Sequence, residues 1–349
     1  MLMLTIEELA LPESIGAPDA GDFIEMVRIR NDIEAYDVGT RDFAVEPEEL
    51  LAIVSNPYEL RRFFLARVDG RIVGRAVYQL QGGLDVPTAW VSVEILPEFR
   101  RQGLGSALYT HVHAIALDDG RTAMQAESFH HVPPAEPVII SPTGFGAVSA
   151  DDAPSRFLVS RGFRLAQVNR VSRLALPSGA QTPEPAAGYD LEAWEGSTPQ
   201  HRLSDMAVLH ARMSTDPPAG EVDWQPETWD EQRVVEHERR RDTDGRRYLT
   251  VAARHIESDS LVGFSDLSVP PEVDRPVQQE DTIVLHEHRG HRLGMLLKAA
   301  NLQRLDELAP GHPAIYTWNA EENRPMLTVN EAVGFVPVAV EASWRNDLN

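Results

Sequence analysis

One sequence pattern with the residue types needed to bind phosphate occurs twice in this chain. The first copy, RRQGLG at residues 100–105, follows the apolar run 89–95, and the second, RGHRLG at residues 289–294, follows the apolar run 282–285. Each copy leads into an amphipathic stretch, so each predicts a strand, a basic glycine-containing turn and a helix. Backbone N–H groups at the start of a helix, together with the helix dipole, favour an anion there. The two copies therefore indicate a duplicated domain that binds a phosphate-containing ligand.

Two common nucleotide-binding motifs do not fit the pattern. Neither copy contains the Gly-Lys-Ser/Thr of a Walker loop. In the first copy, the third glycine of a dinucleotide-binding fingerprint would fall at Leu108, and the pattern follows a hairpin rather than a first strand. The pattern therefore needs a different phosphate-containing ligand.

The elements that must position the two copies follow the same order in both halves of the sequence. The first half predicts helices at 22–36 and 46–54, a hairpin of 63–68 with 71–78, a strand at 88–96, a helix at 106–117, a strand at 122–128, an irregular loop at 129–150, a helix at 153–161 and a strand at 163–176. After a Pro- and Gly-containing linker at 177–188, the second half predicts a strand at 189–194, helices at 202–213 and 226–241, a hairpin of 247–254 with 260–267, a strand at 281–286, a helix at 295–308, a strand at 314–319, a helix at 323–333 and a strand ending at 344.

The composition excludes several classes of partner and site. The formal net charge of −22 argues against nucleic acid and against anionic membrane surfaces. It favours a cationic small molecule or a basic peptide, although solubility alone would also account for it. With no cysteine there is no disulfide framework, no thiolate metal site and no cysteine nucleophile, and no apolar run reaches the length of a membrane span. The N-terminus does not read as a signal peptide, so a cytoplasmic location is expected.

The repeated pattern and its element order resemble the GNAT superfamily of acyl-coenzyme A N-acyltransferases. The signature of that family is Arg/Gln-x-x-Gly-x-Gly/Ala between the fourth strand and the third helix. Arg100-x-x-Gly103-x-Gly105 fits it in full, and the second copy fits except that Arg292 replaces the first glycine. The resemblance covers nearly the whole chain and implies an α/β (α+β) protein of two tandem GNAT domains, 1–176 and 189–349, joined by the linker 177–188. Each domain is expected to be a mixed, mostly antiparallel twisted sheet flanked by helices.

The resemblance implies acetyl-CoA as the co-substrate and assigns residues to it. The strand before each pattern would bond the pantetheine arm through its backbone, and the loop would hold the pyrophosphate through N–H groups with arginine charge beside them. The residues concerned are Val93, Ile95, Arg100, Arg101, Gln102, Gly103, Leu104, Gly105 and Ser106 in the first domain, and Thr282, Val284, Arg289, Gly290, Arg292, Leu293, Gly294 and Asn323 in the second. For Asn323, a simple helix N-cap is an alternative that is compatible with this role.

The chemistry that the resemblance implies is attack of an amine on a thioester, which needs a proton acceptor. Glu280 and Asp281 lie at the start of the second site strand, and Glu280 is expected on the same strand face as Thr282 because it lies two residues before it. In the first domain, Glu94 is expected on the opposite face of its strand unless a bulge re-aims it, and Glu127 on the next strand is the other candidate. Each could instead be an ordinary exposed carboxylate.

The proton donor for the leaving thiolate is less well provided for. The family's usual tyrosine lies four residues before a closing Gly-Phe, where this chain has Leu158 and Asn330.

No metal site is expected: the histidines at 286 and 288 share a predicted strand face but lack ligand partners. His130 and His131 fall in the predicted loop 129–150, at the surface or lining a pocket.

The sequence thus favours an N-acetyltransferase that moves an acetyl group from acetyl-CoA to a primary amine of a small cationic molecule, with catalysis in the second domain. Two alternatives stay open: catalysis in the first domain, which alone has both loop glycines, and a non-catalytic acyl-CoA-binding module. The chain is expected to be a monomer or a homodimer.

Overall fold

The computed structural model describes residues 3–132, 134–179 and 184–348. Residues 180–183 of the predicted linker lie outside this described part. The first half of the sequence forms β1 (Leu4–Leu9), α1 (Gly21–Val38), α2 (Pro47–Val54), β2 (Glu59–Val68), β3 (Arg71–Gln81), β4 (Thr88–Ile95), α3 (Leu104–Asp118), β5 (Ala123–His131), β6 (Val138–Ile140), β7 (Ala147–Ser149), α4 (Ala153–Val159) and β8 (Arg164–Ala175).

The second half forms β9 (Tyr189–Glu195), α5 (Leu203–Met213), α6 (Glu231–Arg241), β10 (Arg247–His255), β11 (Ser260–Val269), β12 (Val277–Val284), α7 (Leu293–Leu308), β13 (Ala314–Ala320), α8 (Arg324–Val333) and β14 (Val336–Asp347). Three predictions differ locally. The irregular loop expected at 129–150 contains the end of β5 and the paired strands β6 and β7. The helix expected at 226–241 begins only at Glu231, where Asp230 caps it by accepting a hydrogen bond from Arg233 N. The residues 286–288 form a 3₁₀ turn rather than the end of a strand, so the two histidines do not share a strand face.

The chain folds as two compact units, each containing one copy of the repeated pattern. Unit 1 consists of Met1–Val168, Ala219–Gln225 and Ala339–Asn349. Its strands lie in the order β1-β2-β3-β4-β5, followed by residues 339–347 of β14, which pair antiparallel with β5. Helix α3 packs on one face of this sheet through Leu104, Leu108 and Val112, while α1 packs on the other face through a second apolar cluster.

Unit 2 consists of Asn169–Pro218 and Pro226–Val338. Its strands lie in the order β9-β10-β11-β12-β13, followed by residues 169–175 of β8, which pair antiparallel with β13. Helix α7 contributes Leu302 and Leu305 to the core on one face, and α5 contributes Leu203, Met206 and Leu209 on the other. The predicted fold class, two mixed and mostly antiparallel sheets flanked by helices, is confirmed.

The last strand of each half of the sequence pairs within the other unit, which differs from the predicted domain boundaries. The prediction assigned β8 to the first domain and β14 to the second. In the structure, residues 169–175 of β8 complete the sheet of unit 2, and residues 339–347 of β14 complete the sheet of unit 1. A strand's pattern of apolar residues specifies which face is buried but not which neighbour it pairs with, so this exchange is not visible in the sequence.

Among the described residues, no helix combines the length and the apolar character that crossing a membrane requires.

Candidate functional site

In unit 1, two parallel neighbouring strands pair at one end and separate towards the other. Strands β4 and β5 pair between residues 88–90 and 123–125, and in the described part of the chain their pairing ends at Trp90 and Gln125. Beyond that point β4 stays paired with β3 as far as Ile95, and β5 stays paired with β14 as far as His131. The facing edges of the two strands therefore carry backbone N–H and C=O groups that an extended ligand can bond.

Unit 2 repeats this arrangement. Strands β12 and β13 pair only at residues 277–278 and 315–316 within the described chain, while β12 continues with β11 to Val284 and β13 continues with β8 to Ala320. The residues predicted to bond pantetheine lie on the separating parts of the two site strands: Val93 and Ile95 on β4, and Thr282 and Val284 on β12.

The two glycine-containing loops have the same backbone conformation. In the first, Arg101 and Gly103 have φ of 63° and 86°, and in the second, Gly290 and Arg292 have φ of 87° and 59°. Helices α3 and α7 begin immediately afterwards, and no side chain of the described residues caps either one. The N–H groups of each first turn, at residues 104–106 and 293–295, therefore remain available to an anion.

Arg100 and Arg289 hold the loops instead of projecting from them. Nε of Arg100 donates to the carbonyl of Ile95 at 2.9 Å, and its two Nη atoms bond Asp37 at 2.7 and 2.8 Å. Arg289 does the same with the carbonyl of Val284 at 3.0 Å and with Asp216 at 3.1 Å. Their guanidinium groups thus fix the end of the site strand to the loop, whereas Arg101 and Arg292 are exposed beside the helix starts.

Arg161, which the sequence pattern did not indicate, adds positive charge beside the first loop. Its Nη2 donates to Ser106 Oγ in the first turn of α3 at 2.7 Å, and its guanidinium lies 3.5 Å from the centre of the Phe157 ring. Phe157 also explains Gly105, because a Cβ there would lie 3.3 Å from the edge of that ring. The sequence feature that could have pointed to Arg161 is its position directly before Gly162 and Phe163.

The carboxylates of unit 2 lie on a β-bulge that the sequence did not reveal. The pairing of β11 with β12 changes register between Ser265–Thr282 and Leu267–Gln279. As a result, Gln279 and Thr282 both bond Ser265 Oγ, at 3.0 and 2.9 Å, and lie on one face. The prediction that Glu280 shares a face with Thr282 is therefore wrong, because the extra residue in the bulge shifts the alternation.

Glu280 and Asp281 instead lie among the charged groups of the α5–α6 side. Asp281 Oδ2 is 3.7 Å from Nδ1 of His210 on α5. Glu280 is accessible to water, but protein surrounds much of its carboxyl. This partial desolvation raises the pKa of Glu280 to about 7, and the negative charges of Asp266 and Asp281 also raise it. A carboxylate with this pKa can both accept and hold a proton near neutral pH.

A narrow polar cavity lies on the same side of unit 2. His210 stacks on Trp229 with ring centres 4.5 Å apart, and the buried Asp266 pairs with Arg241 of α6 at 2.9 Å. The cavity lining includes His210, Glu238, Arg241, Tyr248, Phe264 and Asp266. The cavity has a volume of about 10 Å³, which is room for one water molecule at most, so its charged groups bond mainly to one another.

The two carboxylates predicted in unit 1 have different surroundings. Glu94 bonds Arg75 through both oxygens, at 2.8 and 2.9 Å. Burial opposes ionisation of Glu94, but the charge and hydrogen bonds of Arg75 outweigh it and lower the pKa of Glu94. Glu127 lies on the separating part of β5, accessible to water, and desolvation raises its pKa to about 7. Of the two, Glu127 is the better proton acceptor.

Two further carboxylates accompany Glu127 and were missed from the sequence. Glu341 on β14 lies opposite Phe129 of β5, two pairs away from the pair of Glu127 with Ser343 and on the same face of the sheet. Burial, together with the charges of Glu127 and Glu34, raises the pKa of Glu341. Because β14 reaches β5 only through the exchange of terminal strands, no sequence signal could have brought Glu341 to this place.

The positions of the absent tyrosines are occupied by packed side chains. Leu158 belongs to the core of unit 1. Asn330 is 1% exposed and donates from Nδ2 to Asn319 Oδ1 at 2.6 Å. Asn323 accepts a hydrogen bond from Met326 N at 3.4 Å and so begins α8 as an N-cap.

Comparison with known proteins agrees with this geometry. Residues 23–139 match the family described as Acetyltransferase (GNAT) family. A solved tandem GNAT protein from the clavulanic acid biosynthesis pathway has 26% identity and a TM-score of 0.77, with 99% of this chain and 98% of that chain covered. A GCN5-related N-acetyltransferase from Sphaerobacter thermophilus shares the fold at 15% identity and a TM-score of 0.64, covering 98% of this chain and 95% of that chain. No curated protein matches the chain in sequence.

The family match falls in unit 1, and the likeness to a tandem GNAT protein extends over both units. With the two separated strand pairs and the two glycine-containing loops of one conformation, these findings show a GNAT-family domain in unit 1 and the architecture of a tandem GNAT protein over both units.

Proposed function

We propose that the protein transfers an acetyl group from acetyl-CoA to the primary amine of a small cationic molecule. The phosphates fit the uncapped N–H groups at the starts of α3 and α7, and the pantetheine arm fits the unpaired edges of β4 and β12. The acidic balance of the chain and the carboxylates beside both site strands favour a cationic acceptor.

The observation that carries this proposal is the position of Glu280. It lies on the bulged site strand, is reached by water and has a pKa raised to about 7. In the proposed reaction Glu280 takes a proton from the acceptor ammonium, directly or through water, and the neutral amine attacks the thioester carbonyl. A backbone N–H on the unpaired edge of β12 would stabilise the oxyanion. With Asn330 in place of a tyrosine, unit 2 has no side-chain acid at this position. The thiolate of coenzyme A would leave as the anion when the carbon–sulfur bond breaks, and the second proton lost by the attacking nitrogen would pass to water.

A second candidate places the same reaction in unit 1. There Glu127 occupies the separating strand β5 with a pKa also raised to about 7, and the loop has both family glycines. A non-catalytic acyl-CoA-binding protein is the third candidate, motivated by the residues at 158 and 330.

A coenzyme A release assay over a panel of amines, run on paired variants, distinguishes these candidates. We expect turnover that Glu280→Gln abolishes, and that Glu94→Gln, a change at an arginine-paired carboxylate, leaves in place. Loss on Glu127→Gln alone would move catalysis to unit 1.

Calorimetric titration with acetyl-CoA of the intact protein and of Gly105→Trp and Gly294→Trp counts and assigns the binding sites. Binding without turnover of any amine would support the non-catalytic candidate, and no binding at all would overturn the proposal.

A further inference from the structure

Three polar side chains of unit 1 form a continuous hydrogen-bonded chain. Ser128 Oγ lies 2.7 Å from Nε2 of His130, and Nδ1 of His130 lies 2.6 Å from Oδ2 of Asp152. His130 is in strand β5 and is 5% exposed, which corrects the prediction of a surface loop at this position. A hydroxyl, an imidazole and a carboxylate at these distances are the parts of an activated serine nucleophile.

The neighbouring hydrogen bonds fix the direction of the chain. Oδ1 of Asp152 accepts from Ser155 N at 3.0 Å as the N-cap of α4, which leaves Oδ2 to accept the Nδ1 proton of His130. Nε2 is then the acceptor for the serine hydroxyl. The indole N–H of Trp344 donates to Ser128 Oγ at 2.8 Å, so the serine proton must point elsewhere, towards His130.

Ser128 lies where a thioester in this unit could reach it. It is three residues beyond Gln125, at which the pairing of β5 with β4 ends. Its partner Trp344 packs in one cluster with Leu104 and Leu108 of α3, so Ser128 lies on the sheet face that carries the phosphate-binding helix. Ser128 is also partly exposed, unlike His130 behind it.

We propose that Ser128 is a nucleophile that accepts the acetyl group from an acyl thioester, with His130 as its base and Asp152 as a positioning residue. The Ser128 hydroxyl gives its proton to His130 Nε2 while Oγ bonds the thioester carbonyl carbon. The carbon–sulfur bond then breaks, and His130 returns the proton to the departing thiolate, which leaves acetyl-Ser128. This step supplies unit 1 with the acid that Leu158 cannot provide.

The second half of the reaction regenerates the serine. A neutral amine, or water when no amine is present, attacks the ester carbonyl and gives a proton to His130. The carbon–oxygen bond breaks, and His130 returns that proton to Ser128 Oγ. Strand β13 of unit 2, with the sequence AIYTWNA, contains neither serine nor histidine, so this route belongs to unit 1. Transfer from acetyl-CoA rests on the proposed function, because acetyl-CoA must bind in unit 1.

The test is acetylation of the full-length protein, quenched in acid and measured by intact mass and peptide mapping. p-Nitrophenyl acetate and acetyl-CoA are used separately, without amine. We expect one acetyl group on Ser128, lost in Ser128→Ala and kept in the matched control Ser343→Ala on the neighbouring strand β14. Asp152→Asn retains the helix cap but should slow acetylation at least about 100-fold and change its pH profile, because the imidazole loses its fixed tautomer.

A second variant keeps the test valid if Ser128→Ala does not fold. Ser128→Cys introduces the single thiol of a chain that has no cysteine. Pairing with His130 should make this thiol react with iodoacetamide at pH values well below the ordinary thiol pKa of about 8.5.

Ordinary thiol reactivity, or acetylation that persists in Ser128→Ala, would overturn the proposal. Acetylation by p-nitrophenyl acetate but not by acetyl-CoA would support the nucleophile and count against acetyl-CoA binding in unit 1. Unchanged amine turnover in Ser128→Ala, with no acetyl-serine in the wild type, would overturn the nucleophile and leave the proposed function intact.

Discussion

Arg292 adopts at the start of α7 the left-handed backbone conformation that Gly103 adopts at the start of α3, with φ of 59° and 86°. Two positions earlier the residue types are reversed, since Arg101 has φ of 63° and Gly290 has φ of 87°. Each loop therefore needs two left-handed residues and has a glycine at only one of them. The loop shape, which directs the helix N–H groups, is kept although the family signature is broken in the second copy.

The first prediction concerns this conformation. A non-glycine residue in the left-handed region costs about 1 kcal/mol, partly offset by the greater freedom of glycine in the unfolded chain. Arg292→Gly should therefore stabilise unit 2 by roughly 0.5 kcal/mol and raise its unfolding midpoint by about 1–2 °C. Gly103→Arg should lower the stability of unit 1 by a similar amount and still fold, because the space around a Cβ at Gly103 is open. Differential scanning calorimetry measures both changes, and failure of either variant to fold would contradict this prediction.

The second prediction concerns Arg100 and Asp37. Both Nη atoms of Arg100 bond Asp37, and its Nε bonds the carbonyl of Ile95. Removal of the aspartate should therefore loosen the loop much as removal of the arginine does. Asp37→Asn and Arg100→Gln should each weaken acetyl-CoA binding, and their double variant should be no worse than either alone. The coupling energy should be on the order of 1 kcal/mol, and the pair Arg289 and Asp216 should repeat the pattern in unit 2. Additive losses would instead indicate that Arg100 contacts the phosphate by itself.

The parts of the fold that the sequence predicted are those set by local pattern. The glycine loops, the apolar site strands and the Gly-Phe closures are each specified by a few neighbouring residues. The structure has the loops, β4 and the closures at the predicted positions, while β12 begins at Val277 rather than at 281. The exchange of β8 and β14 depends on pairing between distant segments, and the bulge at Glu280 depends on the register against β11. For the same reason Glu341 and the chain from Ser128 to Asp152 could be found only in three dimensions.

The third prediction is a pH profile for amine turnover. The pKa of Glu280 is raised to about 7, and the base must be ionised to accept a proton. The rate should therefore rise with pH through about 7 and level off above it until the amine itself titrates. In Glu280→Asp the limb should persist at a reduced rate, and in Glu280→Gln it should disappear with the activity. A limb that survives in Glu280→Gln and disappears in Glu127→Gln would assign it to unit 1.

The fourth prediction links Glu341 to the stability of unit 1. Its pKa is raised by burial and by the charges of Glu127 and Glu34, so the folded protein binds more protons here than the unfolded chain does at pH values above the ordinary glutamate pKa. The stabilising protonated form is lost as the pH rises, and stability should fall with it. Glu341→Gln removes this dependence, so the variant should equal the wild type near pH 5 and exceed it near pH 8. A gain on the order of 1 kcal/mol would raise the unfolding midpoint by about 2–4 °C.

Glu25 provides a control of opposite sign in the same unit. Its hydrogen bond with Arg28 lowers the pKa of Glu25, so its contribution is present above the ordinary glutamate pKa and is lost as the pH falls through the lowered value. Glu25→Gln should therefore give no gain at pH 8, and any change there should be a small loss because the pair is exposed. If both variants gained stability equally at pH 8, the cause would be the general removal of negative charge from a chain with a net charge of −22. A gain confined to Glu341→Gln would instead locate the repulsion among Glu34, Glu127 and Glu341.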